Sequence, residues 1–380
     1  MIRTFLPDTR PHPQRTLSFT DEERAERDRY AAALGPAAGT PLVTRPDLAR
    51  ALNLGHVWVK DETHRMGLPA FKLLGARFAV ATLLARHHIT PGATLVCASE
   101  GNHGRAVARA AREVGCQARI YLSHAVAAPR ADAIASEGAT IVRIGATYDE
   151  AVRHAAEDAA REGWTIISDT SWDGYEEVPR LIMLGYSQIV HEMRLQQSPD
   201  WRPDVIAVPG GVGGLLAGVA LGAAEAWATS PLIVCVEPDS AACLMASARV
   251  GRPTPVSGPF TTEMGGLRCG EVSPLAFAMA APHVAAYVTI EDDWGACALR
   301  MLARPSAPDA APIEAGLAGA AALAGLMAIR AGADAAQVNG ALALSNASTA
   351  VVIASEGVTD PPLWARLMGV DESPAITPAT

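Results

Sequence analysis

The chain has 380 residues, 49% of them hydrophobic and 19% charged, with a formal net charge of -9. That length suits a compact enzyme of two domains, and the lack of a basic patch that could track a phosphate backbone excludes nucleic acid as a partner. Met1 to Arg10 is broken by Pro7 and Asp8 and lacks the apolar core of a secretory signal. The six cysteines form no CxxC pair and no histidine cluster has zinc spacing, so the expected setting is cytoplasmic, with free thiols and no metal.

The first 40 residues are rich in Pro, Arg and Asp and read as an arm packed on the surface, with one helix at 21–33 capped by Thr20. An acidic turn follows at Lys60-Asp61-Glu62-Thr63. Lys72 then stands in apolar company, Gly67-Leu68-Pro69-Ala70-Phe71-Lys72-Leu73-Leu74-Gly75. Burying a lone amine there is costly unless it is neutralised or bonded. Two readings stand: an imine with an aldehyde cofactor, or a lysine extending its ammonium to water from a mostly apolar helix.

From residue 94 onward, apolar and β-branched runs predict strands at 94–98, 118–122, 140–144, 165–168, 205–208, 232–236, 285–290 and 349–354. Ala-rich stretches between them predict helices at 102–115, 126–137, 148–162, 179–197 and 213–228. This is the α/β rhythm of parallel sheets covered by helices. Strands 94–168 read as a self-contained small unit (81–190), with 1–80 and 191–380 folding together around a larger sheet and a ligand held in the cleft between. Arg105, Arg109 and Arg112 read as the solvated face of one helix. Val205 to Ala224 carries no charge over 20 residues, but Pro209 and its glycines make it strand, loop and helix rather than a membrane span. The tail after Gly369 is polar and is expected to fray.

Polar or glycine-rich loops recur at the carboxyl ends of the predicted strands: Ser99-Glu100-Gly101-Asn102-His103-Gly104, Gly210-Gly211-Val212-Gly213-Gly214-Leu215 and Ser355-Glu356-Gly357. In an open α/β sheet, ligands bind there. Gly210 to Gly214 has neither the lysine of a nucleotide P-loop nor the GxGxxG order. It offers unhindered amides at a helix N-terminus, which suits a phosphate dianion; the plain alternative is a tight turn.

A lysine for imine formation and a phosphate cradle are what pyridoxal 5'-phosphate requires. The chain resembles the β-family (fold type II) of pyridoxal-phosphate enzymes and, within it, the diaminopropionate ammonia-lyase branch. The resemblance runs from about residue 40 to 365 through Lys60-Asp61-Glu62, the Lys72 motif, Gly101-Asn102-His103-Gly104 and Asp169-Thr170-Ser171-Trp172-Asp173-Gly174-Tyr175. It continues through Pro179, Met183 to Tyr186, Gly211 to Gly214, Val236-Glu237-Pro238, Met264 to Glu271 and Ser355 to Asp360. The Asp-Thr-x-Trp and Gly-Leu-x-Cys-Gly-Glu elements mark the ammonia-lyase branch; the others mark the wider group.

The resemblance implies two mostly parallel sheets with the cofactor in the interdomain cleft, Lys72 as the cofactor's attachment point and later a base, and Asn102 donating to its phenolic oxygen. Gly210, Gly211, Val212, Gly213, Gly214 and Leu215 would hold the phosphate, and Ser355 would face the pyridine nitrogen. A hydroxyl there, unlike an aspartate, does not keep the ring protonated, which favours β-elimination over transamination. Ser99, Asn102 and His103 would surround the substrate carboxylate, and Asp169 its amino end. Glu100 departs from the family's Asp at a position implicated as a base toward the D-isomer. Plain alternatives remain at this point: a solvated Glu100, Asp169 as an N-cap before Trp172, His103 capping the 104–113 helix. Cys243 and Cys269 match a cysteine pair that lies close in space in the family, while Glu237 reads as a structural strand-end residue and Glu314 only matches a motif position. The implied activity is elimination of ammonia from 2,3-diaminopropionate. The alternatives are serine or threonine dehydration, β-replacement on the same fold, or a non-enzymatic binder of the cofactor. A homodimer is implied by the resemblance alone.

Overall fold

The computed structural model describes residues 3–7, 17–35, 39–99, 101–145, 148–332 and 335–369. Eleven strands form among them: β1 (Arg3–Phe5), β2 (Leu42–Thr44), β3 (His56–Asp61), β4 (Thr94–Ala98), β5 (Gln117–Leu122), β6 (Thr140–Arg143), β7 (Thr165–Ile166), β8 (Val205–Pro209), β9 (Leu232–Pro238), β10 (Val284–Ile290) and β11 (Thr349–Ala354). They make a seven-stranded sheet, ordered β1-β10-β9-β8-β11-β3-β2, and a four-stranded sheet, ordered β6-β5-β4-β7. Only the edge strands β1 and β2 run antiparallel to their neighbours; the other pairings are parallel. The helices between the strands cover both sheets, as the βαβ rhythm requires. Both predicted unit boundaries, at 80/81 and 190/191, fall inside helices, Lys72–Ala85 and Glu177–Leu195.

Three strands were not anticipated. β1 and β2 are three residues each, too short to show a period of two. β3 replaces the expected turn at Lys60-Asp61. Its charged end is tolerated because Lys60 Nζ reaches Thr40 O and Glu192 Oε2, both at 2.7 Å. β7 stops at Ile166 instead of Ser168, because the Ser168 amide is taken by Tyr175 Oη at 2.9 Å. The helix Asp21–Leu34 starts at Thr20 as predicted, in a capping box: Thr20 Oγ1 accepts from Glu23 N while Glu23 Oε2 accepts from Thr20 N. The arm is more than a surface layer, however. β1 extends the large sheet, and Arg27, 2% exposed, is bonded to Ser187 and Glu225.

The arginine face on the helix Asn102–Glu113 also differs from expectation. Arg105 and Arg109 turn onto the buried carboxylate of Glu137 at 3.2 and 2.7 Å, so they are internal ion-pair partners. Val205 to Ala224 forms β8, a loop and most of the helix Gly214–Ala226. Among the described residues no helix is long and apolar enough to cross a membrane. The tail after Gly369 lies outside the described residues.

Three helices meet where the two sheets face one another. A Cβ on Gly185 would lie 2.9 Å from Gly75 Cα, and one on Gly218 would lie 2.7 Å from Met183 O. The helices Lys72–Ala85, Glu177–Leu195 and Gly214–Ala226 therefore touch backbone to backbone, which only glycine permits. One apolar core runs through this junction, joining Leu95 and Ile120 of the small sheet to Ile206 and Val208 of the large one.

Candidate active site

Lys72 is the first residue of its helix and its ammonium meets the loop that follows β7. Nζ donates to Asp169 Oδ2 at 2.5 Å and lies 5.1 Å from the Phe71 ring and 6.0 Å from the Tyr186 ring. Burial disfavours its charge, but the Asp169 carboxylate outweighs that and raises its pKa above the ordinary lysine value. The apolar company read from the sequence is thus real, and a counter-ion from a distant loop completes it.

Asp169 follows β7, and no helix begins before Trp172; the chain makes a Trp172–Tyr175 bridge there instead. An N-cap role is therefore excluded. Tyr175 fixes the approach, since its hydroxyl donates to Ile166 O and accepts from Ser168 N, both at 2.9 Å. Burial would raise the Asp169 carboxyl, yet the neighbouring His103 and Lys72 hold it well below the usual carboxylate range.

His103 is buried in the first turn of its helix. Its Nε2 lies 3.0 Å from Ile167 O. A carbonyl only accepts, so Nε2 carries the proton. Burial lowers the pKa of the ring despite the opposing pull of Asp169, which leaves Nδ1 bare, 3.7 Å from Asp169 Oδ2 and without a hydrogen-bond partner. That orphan nitrogen and Asp169 Oδ2, on which the Lys72 ammonium now rests, are two acceptors side by side, so an ammonium donating to both would satisfy them.

The glycine loop lies between β8 and the helix Gly214–Ala226. Gly211 and Gly213 adopt φ of 61° and 99°, a conformation that favours glycine. A Cβ on Gly210 would collide with Glu237 Cγ at 2.8 Å. The opening amides of the helix, at Gly214 and Leu215, have no intrahelical acceptor and sit at the positive end of its dipole. The loop is braced by Ser273 N donating to Val212 O at 2.9 Å, and a Cβ on Gly214 would stand 3.9 Å from Asp169 O. An anion cradle thus lies beside the Lys72–Asp169 pair.

Ser355 ends the β11 approach from the other side, buried, with its carbonyl bonded to Phe71 N at 3.2 Å. Asn102 opens the helix Asn102–Glu113, and its Nδ2 donates to Glu356 Oε2 at 2.7 Å. Ser99 acts within the loop: its Oγ accepts from the Gly104 amide at 3.0 Å and the Gly101 amide at 3.4 Å. Glu100 lies outside the described residues. Glu237 is buried at the end of β9 and caps the helix Cys243–Val250 through the amides of Leu244 and Met245, both at 2.8 Å, which is the structural task expected of it. Cys243 and Cys269 are both free thiols, and Cys243 Sγ lies 3.6 Å from Gly211 O. Two members of the site were missed in the sequence, Glu356 and Tyr175, although both stand inside motifs quoted above.

A lysine amine, an anion cradle, a buried serine and an asparagine converging on one cleft are the donor set that pyridoxal phosphate needs. Residues 34–353 match the model of the family described as pyridoxal-phosphate dependent enzyme. The chain belongs to that family. Over 338 residues it is 33% identical to the diaminopropionate ammonia-lyase of Escherichia coli strain K12, covering 84% of this chain and 85% of the relative. The crystal structure of the Escherichia coli enzyme with D-serine matches with a TM-score of 0.86 and 28% identity, over 97% of each chain. Its complex with an aminoacrylate-PLP azomethine reaction intermediate matches with a TM-score of 0.84, again at 28% identity and over 97% of each chain. The cofactor is pyridoxal phosphate, and the lysine amine together with the positive φ of Gly211 and Gly213, which shapes the anion cradle, are the features that fit it here.

Proposed function

We propose that this chain is an ammonia-lyase that converts 2,3-diaminopropionate and water to pyruvate and two equivalents of ammonia. The observation that carries the reading is the Asp169 carboxylate, 2.5 Å from Lys72 Nζ with the bare His103 Nδ1 3.7 Å away. It is an anionic site for a second amino group, beside the lysine that holds the cofactor. When bound, pyridoxal phosphate supplies the electron sink that lets Cα–H break and a β-substituent leave.

The protein's own residues do the rest. Lys72 would tether the cofactor, and the loop from Gly210 to Leu215 would hold its phosphate through amides other than those of Gly210 and Gly213, which donate to Val236 O at 2.8 Å and Gly210 O at 3.2 Å. Ser355 would present a hydroxyl to the ring nitrogen, and Asn102 would donate to the phenolic oxygen. As a free amine, Lys72 would act as the base toward the substrate's Cα–H; Glu100 is the second candidate for that proton, from the opposite isomer. Asp169 remains ionised and keeps the β-amino group as ammonium, the form in which it departs as ammonia. Ser99 would lie on the carboxylate side of the pocket, whereas His103, expected there as well, has its acceptor nitrogen beside Asp169 at the amino end. Residues 81–190 would act as the smaller unit over the cleft, with 1–80 and 191–380 as its base. A cytoplasmic homodimer is part of the same reading, checked by sedimentation of the holoenzyme.

The test is turnover of D- and L-2,3-diaminopropionate, serine and threonine, each with and without a thiol. Pyruvate and ammonia in a ratio of one to two from diaminopropionate are expected. Turnover of serine or threonine alone would replace the reading with a dehydratase, a thioether product with β-replacement, and bound cofactor without turnover with a non-enzymatic binder.

A further inference from the structure

Among the described residues, three buried carboxylates face arginines, Glu237 accepts two neutral amides, and Glu356 has fewer partners still. Glu62 faces Arg65 and Thr40, Asp47 faces Arg45, Glu137 faces Arg105 and Arg109, and Glu237 receives two backbone amides. Glu356 is 8% exposed and has one hydrogen bond among the described residues, from the neutral Nδ2 of Asn102 at 2.7 Å. Its carboxyl is lodged between glycines: a Cβ on Gly316 would lie 3.2 Å from Oε1, and one on Gly266 would lie 3.2 Å from Oε2. Its backbone cannot retreat, because it bridges Ala70, accepts from Gly316 N at 3.0 Å and is followed by Gly357, whose amide donates to Pro69 O at 3.0 Å.

A buried acid with a single neutral donor is a poor brace and a strong candidate for a working group in a cleft. Burial pushes the Glu356 carboxyl up to about 7, against the Asn102 hydrogen bond and two positive charges, Arg130 and Lys72. Arg130 belongs to the helix Ala128–Ala135, and its guanidinium would meet a Cβ on Gly265 at 3.4 Å. The segments at Gly266, Gly316 and Gly319 present only backbone to Glu356.

The consequence lies in hydrogen-bond chemistry. An ionised carboxylate only accepts, so Asn102 must turn its N–H edge toward Glu356 and its carbonyl elsewhere. A protonated carboxyl can donate, so the Asn102 carbonyl can turn to Glu356 and both N–H groups become free for the cleft. We propose that Glu356 is a positioning residue of this active site: the presence or absence of its proton decides which edge of the Asn102 amide is presented to the bound cofactor. This rests on the assignment of Asn102 to the cofactor's phenolic oxygen.

The experiment is a pH titration, from 5.5 to 9, of the visible absorption of the holoenzyme's cofactor in the parent, Glu356→Gln, Glu356→Asp and Asn102→Ala, with cofactor content measured for each. The parent is expected to show a spectral transition with a midpoint near 7. Glu356→Gln and Asn102→Ala are expected to retain cofactor and lose that transition, and Glu356→Asp to keep one with a moved midpoint. A parent without the transition, or a Glu356→Gln holoenzyme that titrates as the parent does, overturns the proposal. A parent that shows the transition but releases no pyruvate from diaminopropionate leaves Glu356 in this role and removes the substrate reading instead.

Discussion

Lys60 and Lys72 are near neighbours in the chain and opposites in their surroundings. Lys60 is fully buried; its ammonium is spent on Thr40 O and Glu192 Oε2, and Arg65 bonds Glu62 and Glu192 in the same cluster. Every charge there has an internal partner, and the cluster ties β3 to the helix Glu177–Leu195. Lys72 is 23% exposed and shares one carboxylate with an unsatisfied imidazole nitrogen. Saturated charges build scaffold, whereas charges with bonding capacity left over mark where a ligand is received.

Four measurements press on that contrast. Lys72→Ala should reduce turnover by about 10⁴-fold or more and remove the pyridoxyl adduct that borohydride fixes on the peptide containing residue 72. An adduct found elsewhere would sink the assignment of the whole cleft. Arg65→Met should instead act on stability, lowering it by about 3–5 kcal/mol because Glu62 is left buried without its counter-ion. Urea unfolding reads this, and kcat per folded molecule should not move; a lost kcat with unchanged stability would reverse the roles of the two clusters.

Asp169→Asn keeps the shape of the site and removes its charge. It should cost about 10²-fold in kcat on diaminopropionate and less on serine, which has no β-ammonium to hold. Equal losses on both would detach Asp169 from the second amino group. The smallest effect is on acid stability. Glu62 and Asp169 are held below their ordinary values of 4.5 and 3.8. A depressed folded-state value lends stability above the unfolded value and loses it as pH falls through the folded one, so these two groups should make Tm drop below about pH 4; Glu356 and Glu237, raised to about 7 by burial, act in the opposite sense and lower Tm as pH rises from about 4.5 through 7. Arg65→Met should flatten part of the acid-side drop, since it removes the main cause of the Glu62 depression.

Much of this architecture could be read from residue order. Val205–Pro209 and Thr349–Ala354 announce themselves as β-branched runs ending in polar or glycine loops, and buried parallel strands have that composition. Lys72, the glycine loop and Asp169, which the structure brings together, stand out in the sequence because motif and chemistry agree on them. What escaped depends on partners far away in the chain. Lys60 and Asp61 look like a turn until Glu192 is brought to neutralise the lysine. Arg105 and Arg109 look solvated until Glu137 folds beneath them. Glu356 is unremarkable in sequence, and only the approach of Asn102 and a pocket of glycines gives its carboxyl a task. Local pattern records the period of an element; charge pairing across the fold leaves no such trace.

The glycine contact between Gly75 and Gly185 has a mechanical consequence. With no side chain between them, the two helices are pinned at a point one turn along from Lys72. A side chain at either position would have to part the two helices, and so displace the helix whose first residue is Lys72.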